Sequence, residues 1–331
     1  MAGVGVILNP HASGNRRRAD AAERIAAIVG DDGEVVVTKD LEALDAALRG
    51  FHDRDFDVVA VSGGDGSMCF VVSRAMSIWG ADRLPMFVAL RGGTINNIAR
   101  SVGGPSRPEA MMAAVMAGYR RGRSFALVER PLLCVNGEVY GSIVGAGLIT
   151  HFLDRYYAAK KPSPATAAAL LMRCGVSWLA RTDFIHQVVP RVPGRARCDE
   201  TPLPFNDFTL ILASSATHIG LGVKPFYLSG RKHGYFHLLA GNPTPGQLLS
   251  RLGHFWRGFP AGLSALYDSM ARYVRVEFET PQAFTVDGEL LPPVTVLEIE
   301  SGPTARFIRG MGSMAALSRT ESMHASARMH A

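Results

Sequence analysis

Cysteine is scarce in this sequence. Its 331 residues include four, at positions 69, 134, 174 and 198, and no two have the short spacing of a zinc-binding pair. A chain this long does not need disulfides to hold a core, so the four are read as reduced thiols of a cytosolic protein. Long apolar runs are missing as well. No stretch approaches the ~18 residues of a spanning helix; 143–153 is broken by Thr150 and His151, and 208–223 by Ser214, Ser215, Thr217 and His218. The first residues show no basic stretch followed by an apolar run, so no signal peptide is expected. The GxxxxGK(S/T) pattern is absent, GxGxxG does not follow the first strand, and no protein-kinase signature set occurs. The ten histidines place no ligand pair on one helix face, which argues against a zinc site.

What is present is ample core material. Hydrophobic residues are 47% of the chain and charged residues 19%, which excludes a mostly disordered protein. At about 150 residues per domain the length suggests two domains. Lys and Arg number 35 against 29 Asp and Glu, a net charge of +6. Such an excess suits an anionic partner (nucleotide, nucleic acid or membrane surface) without choosing among them.

The first third alternates strands and helices. Apolar runs at 4–8, 34–38, 57–62 and 85–90 read as strands, with helices at about 16–29, 41–49, from Gly66 to Ile78, and 107–119. The last of these opens on Ser106-x-x-Glu109, a capping-box pattern. This rhythm predicts a parallel sheet with helices on both faces. Near residue 125 the rhythm changes. Strands at 125–129, 132–135 and 138–144 follow without helices between them, and Asn136-Gly137 is a hairpin signal. Helices are expected at 151–159, 165–180 and 245–257, the last opening on Thr244-Pro245-x-Gln247, again a capping pattern. Further strands are expected at about 184–189, 208–213, 235–240, 273–279, 283–286 and 294–300, and the proline- and arginine-rich 190–205 reads as a loop. The second half is therefore an antiparallel β domain with a few helices.

Two glycine turns carry the chemistry. Ser62-Gly63-Gly64-Asp65-Gly66-Ser67 follows a buried strand and opens a helix. Glycines let backbone approach an anion, and helix N-terminal N–H groups bind phosphate. Asp65 at that mouth repels phosphate directly; it fits if it holds Mg²⁺ or takes a proton, or if it simply caps a helix in a tight turn. Gly92-Gly93-Thr94-Ile95-Asn96 repeats the arrangement one strand later. Two such turns at the carboxyl edge of one parallel sheet lie where α/β sheets bind ligands.

Asn9-Pro10-x-x-Ser13-Gly14, then Gly63-Gly64-Asp65-Gly66-Ser67, then Gly93-Thr94-x-Asn96, and later Val286-Asp287-Gly288-Glu289 together resemble the diacylglycerol kinase catalytic-domain family. That family includes soluble bacterial diacylglycerol kinases and sphingosine and ceramide kinases, and is distantly similar to NAD kinases. The resemblance runs from about residue 4 to about 308. It implies an α/β ATP-binding domain over 1–125, with 303–320 returning to it, and a β-rich antiparallel lipid-substrate domain over 126–302; the Ser-, Met-, Ala-, Arg- and His-rich end reads by composition as a flexible tail over 321–331.

By position, the resemblance implies that Asn9 contacts the nucleotide. Gly63, Gly64, Gly66 and Ser67 would wrap its phosphates, with Gly93, Thr94 and Asn96 as a second wall. Asp65 would act on Mg²⁺, Asp287 would be the general base, and Glu289 would support it or touch the metal. Read without the resemblance, Asp287-Gly288 is a type I′ hairpin turn. Some positions depart from the bacterial pattern: Arg91 for proline, Ile95 for glycine, Asn97 for an acidic residue, Asn15 for a basic one, and Lys232-His233-Gly234 where an Asp-Gly helps hold a structural Mg²⁺.

The implied activity is transfer of the γ-phosphoryl group of ATP to a hydroxyl of a neutral membrane lipid: diacylglycerol, ceramide or a sphingoid base. Two alternatives are an NAD kinase-like enzyme with a soluble acceptor and a non-catalytic nucleotide-binding regulator. The expected setting is the cytoplasm, peripherally on an anionic membrane surface, without nucleic acid, and compatible with a homodimer. Arginine clusters at 16–18, 120–123 and 191–197 suit that surface or are solvated faces. The apolar segments 165–180 and 244–263 read either as lipid- or membrane-facing helices or as helices buried against the β domain.

Overall fold

Strands buried on both faces must be mostly apolar, and the central N-terminal runs are, with buried Ser62 hydrogen-bonded to Asn15. In the computed structural model, which describes residues 3–93, 96–159, 163–216 and 223–310, β1 (Val4–Leu8) and β3 (Val58–Gly63) are buried at every position. β1 pairs in parallel with β2 (Gly33–Val37) on one side and with β3 on the other, and β3 pairs in parallel with β4 (Met86–Arg91). The strand order is thus β2-β1-β3-β4. Helices α1 (Ala21–Val29), α2 (Leu41–Asp53), α3 (Asp65–Trp79), α4 (Asn97–Ser101) and α5 (Pro108–Arg120) complete this part. α1 buries Ala21, Ile25 and Val29, one turn apart on one face. They join strand residues and α5's Met111, Met112, Val115 and Met116 in one core.

The chain divides into two compact units. The first comprises the chain to Arg130 together with the segment from Thr304 onward; the second is Pro131–Pro303. The second begins within β5 (Leu127–Val135) and continues through β6 (Val139–Gly141), β7 (Ile143–Gly147), α6 (Leu148–Tyr157), α7 (Pro164–Leu179), α8 (Phe184–Val188), β8 (Val192–Cys198), β9 (Thr201–Pro202), β10 (Asp207–Phe208), β11 (Leu210–Ser214), β12 (Phe236–Gly241), α9 (Pro245–Ser250), α10 (Leu252–Arg257), β13 (Leu266–Ala271), β14 (Tyr273–Val286) and β15 (Glu289–Ile308). Its strands are antiparallel in the order β13-β12-β11-β7-β14-β15, with β8 also beside β14. β15 ends in the first unit, where Phe307 pairs in parallel with Phe87 of β4, their rings 5.7 Å apart. The fold is therefore a parallel α/β region followed by an antiparallel β-rich one. Among the described residues no helix is long and apolar enough to cross a membrane. The four cysteines are buried and outside any disulfide. The expected tail, 321–331, lies outside the described residues.

Several local expectations are corrected. The first helix starts at Ala21, not near 16. α5 is capped at Arg107 with Pro108 in its first turn rather than by a Ser106 box, and Glu109 lies 3.9 Å from Arg18 instead. The stretch 184–189 is helical: Ile185 and Val188, three apart, face Cys174. The expected loop 190–205 contains β8, whose burial alternates strictly, Val192, Gly194, Ala196 and Cys198 inward. β13 falls where no strand was expected, and the helix 245–257 is broken at Arg251 into α9 and α10. The Thr244–Gln247 capping box is formed in full.

Candidate functional site in the glycine turns

The order β2-β1-β3-β4 reverses direction between β1 and β3, so the carboxyl ends of these two strands flank a topological switch point. Asn9 ends β1 and Gly63-Gly64-Asp65 ends β3. Asn15, 6% exposed, ties the two ends together. Its Nδ2 donates to the Asn9 and Ser62 carbonyls, both at 2.8 Å, and its Oδ1 accepts from the Ser62 hydroxyl at 3.1 Å. The Asn9 side chain donates to Ser67 Oγ at 2.9 Å and accepts from the His11 N–H at 2.8 Å.

The turns then stack backbone on backbone. The Gly14 N–H donates to the Gly92 carbonyl at 2.8 Å, and the Gly92 N–H to the Gly63 carbonyl at 3.0 Å. Side chains do not fit at this seam. A Cβ on Gly93 would stand 2.4 Å from Gly64 Cα, and one on Gly92 would stand 2.6 Å from Gly63 N. Among the described residues, a Cβ on Gly64 would meet only Gly93 Cα, at 3.6 Å. The glycines thus serve two physical purposes, close packing at 92 and 93 and an open approach at 64. Gly64 also occupies the capping position of α3 and has no side chain to occupy that helix's first N–H groups, those of Gly66 and Ser67 among them.

Asp65 lies in the first turn of α3, and its Oδ1 accepts from the Ile98 N–H at 2.9 Å. The carboxylate therefore joins the first glycine turn to the start of α4. In the second turn, Asn96 takes a left-handed backbone (φ 54°) and its amide exchanges two hydrogen bonds with Gly93, at 2.9 and 2.8 Å. Arg91 donates to the Gly104 carbonyl at 2.6 Å, while its buried Nε has no partner among the described residues. Burial first, and Arg100 second, pull its pKa below the ordinary guanidinium value. Thr94 lies outside the described residues.

In the second unit, Asp287 and Gly288 form the tip of the hairpin between β14 and β15. Val286 pairs with Glu289, and both tip residues have positive φ, 50° and 93°. This is the two-residue turn that the Asp-Gly pair predicts. The tip also holds its carboxylate: Asp287 Oδ1 accepts from the Ser142 and Ile143 N–H groups at 3.0 Å each, and Oδ2 from Ser142 at 3.1 Å. Gly141 leaves room for it, since a Cβ there would stand 2.8 Å from Oδ2. The Tyr157 hydroxyl donates to the Gly288 carbonyl at 2.9 Å. Asp287, Gly288 and Glu289 are all half-buried. Sequence reasoning placed Gly92 in the second turn but gave Asn15, Gly141 and Tyr157 no part in these sites. Only the glycines, adjacent to motifs already singled out, left a readable signal.

Glycine turns at the switch point of a parallel sheet are the arrangement of phosphate-binding α/β domains. Residues 3–126 match the family model of the diacylglycerol kinase catalytic domain. The resemblance carried by the motifs is thereby shown over this segment, and at the level of the family it supports a kinase acting on lipid. Curated protein sequences give no match. Among solved structures, a Bacillus anthracis (strain Sterne) protein provisionally named a diacylglycerol kinase is 16% identical, with a TM-score of 0.64, over 95% of this chain and 99% of its own. A diacylglycerol kinase structure from the same organism is 16% identical, TM-score 0.61, over 94% and 97%. At this identity the likeness is one of fold.

Proposed function

We propose that the chain is an ATP-dependent lipid kinase that transfers the γ-phosphoryl group to a hydroxyl of diacylglycerol, ceramide or a sphingoid base. The observation that carries this reading is the pair of glycine turns stacked at the switch point, inside the segment that matches the family. Phosphoryl transfer asks a protein mainly for positioning and charge neutralisation. The N–H groups of Gly66 and Ser67 supply donors for phosphate oxygens, and Gly64 keeps the approach clear. Asn9 and Ser67, already hydrogen-bonded to each other, face the nucleotide in this reading, with Gly63, Gly93, Thr94 and Asn96 shaping the walls.

Mg²⁺, when bound, neutralises charge on the phosphates. Among the described residues no group of three or more His, Cys, Asp or Glu could hold a metal. Mg²⁺ commonly keeps several waters and binds through one or two carboxylates and phosphate oxygens. Asp65 and Glu289 are the carboxylates assigned to it. Asp287 takes the hydroxyl proton of the acceptor lipid. Its three backbone contacts fix the carboxylate's orientation, as a positioned base requires.

The test is incubation of the purified protein with γ-labelled ATP, Mg²⁺ and a panel of the three lipids, with NAD as a soluble acceptor and Asp65→Asn as control. Label on one lipid, absent in the control, supports the reading. Label on NAD alone replaces it with a soluble-acceptor kinase, and ATP binding without transfer replaces it with a nucleotide-binding regulator.

A further inference from the structure

Helix α7 is apolar around most of its circumference, the pattern of a helix enclosed on all sides. Its sequence, PATAAALLMRCGVSWL, carries one charge, Arg173. Yet the described residues cover only the side bearing the small residues Ala167, Cys174 and Ser177. The other side stands open: Met172 is 69% exposed, Val176 60% and Leu179 75%. These three recur at helical spacing and form one stripe. Trp178 continues toward α9, where a Cβ on Gly246 would stand 3.0 Å from its ring. Beyond α9, α10 divides its residues in the same way. Phe255 packs into the core of the second unit, while Trp256 and the following Phe259 are 52% and 55% exposed.

The segments that carry this surface are rich in cations, with the exposed carboxylates Asp154 and Asp183 flanking the first of them. From Arg155 to Thr182 the sequence contains Arg155, Lys160, Lys161, Arg173 and Arg181 and no Asp or Glu. From Phe208 to Tyr267 it contains Lys224, Arg231, Lys232, Arg251 and Arg257, again with no Asp or Glu. Lys224 is exposed beside α10, its N–H bonded to the Phe255 carbonyl. A second copy of this chain is a poor occupant, because pairing the surface with itself brings these cations together. A surface of negative charge with an apolar interior fits both features.

We propose that the exposed faces of α7 and α10, with Phe259, dock this chain on an anionic lipid bilayer. Met172, Val176, Leu179, Trp256 and Phe259 enter the interface, and Lys224 and Arg257 meet the headgroups. Tryptophan, amphipathic in itself, belongs at that depth. The proposal deepens the lipid-kinase reading by naming the partner surface, and its test does not depend on catalysis.

The full chain is sedimented with vesicles of phosphatidylcholine, with and without phosphatidylglycerol, in the absence of ATP. Roughly tenfold tighter binding is expected with phosphatidylglycerol, lost at high salt. Met172→Glu with Leu179→Glu should weaken it roughly tenfold or more, and Lys224→Gln with Arg257→Gln should remove most of the preference for phosphatidylglycerol. All four positions are exposed, and unchanged circular dichroism and thermal midpoints establish that the variants fold. Trp256→Phe reads the same docking through loss of a vesicle-induced blue shift in fluorescence. Wild-type protein that ignores both vesicle types, or variants that bind as wild type does, would overturn the proposal. So would light scattering that shows a dimer dissolved by the Met172 and Leu179 substitutions. Phosphorylation of a short-chain, water-soluble lipid acceptor separates the two readings. Activity there without vesicle binding sinks only the docking surface, and vesicle binding without activity sinks only the kinase.

Discussion

Two glycines 29 positions apart in the chain, 64 and 93, should respond to the same substitution in opposite ways. Gly93→Ala places a methyl 2.4 Å from Gly64 Cα and 3.0 Å from Gly64 N, where ordinary contact begins at 3.4 Å. Both neighbours are backbone, so no rotamer relieves the clash. The turns must part by about 1 Å. That stretches the Gly92 to Gly63 hydrogen bond, now 3.0 Å, beyond hydrogen-bonding range. Overpacking of roughly 1–3 kcal/mol and a lost buried hydrogen bond of about 1 kcal/mol give a destabilisation of about 2–4 kcal/mol. Gly64→Ala meets nothing among the described residues closer than 3.6 Å and sits at φ −89°, which any residue adopts. It should cost no more than about 1 kcal/mol, the difference between glycine and alanine at a helix cap. Its methyl stands at the approach to α3, so ATP affinity should fall roughly tenfold or more, about 1.4 kcal/mol. Urea unfolding measures the first effect and titration with a fluorescent ATP analogue the second. If Gly93→Ala were as stable as wild type, or if Gly64→Ala bound nucleotide normally, the division of labour between the glycines would be wrong.

Other expectations concern single side chains. Asn15→Ala removes three hydrogen bonds at the ends of β1 and β3, two of them buried; a loss of about 2–3 kcal/mol should appear in urea unfolding. Asp287→Asn sets an amide against the Ser142 and Ile143 N–H groups. Lipid phosphorylation should fall at least a hundredfold, while stability falls by only about 1–2 kcal/mol; near-normal turnover would remove Asp287 from the reaction. Burial alone would raise the Asp268 carboxyl, but hydrogen bonds from His237, at 2.7 Å, and Tyr227, at 2.9 Å, hold it below its ordinary value of 3.8. A depressed folded pKa contributes stability above that ordinary value and loses it as pH falls through the folded one. Unfolding midpoints should therefore drop below about pH 4 in wild type and drop less steeply in Asp268→Asn.

Much of this architecture is legible in the sequence because the physics leaves few options. The runs 4–8, 58–61 and 86–90 carry only apolar residues and glycine because helices cover both faces of a parallel sheet. Gly92 and Gly93 stand out because nothing larger fits where two backbones touch, and Gly64 because it leaves an approach clear. Elsewhere the signal is ambiguous. Phe184–Val188 is too short for a period of two to be told from one near three, and its contact with Cys174 decides for a helix. Proline marked 190–205 as a loop, yet Pro193 falls at an exposed, outward position of β8 and leaves the alternation intact. Asn15 is a polar residue in a polar-looking segment, and only the fold reveals that it is buried. Asp287-Gly288 carried two readings because one residue can do both: the left-handed turn it forms also directs its carboxylate at two backbone N–H groups.

Transfer of label from γ-labelled ATP to diacylglycerol in mixed micelles, measured for wild type and for Gly64→Ala side by side, tests the central claim most directly. The account predicts a labelled lipid from wild type and at least a tenfold loss at limiting ATP in a variant that unfolds at nearly the same urea concentration. Equal transfer by both proteins would contradict it.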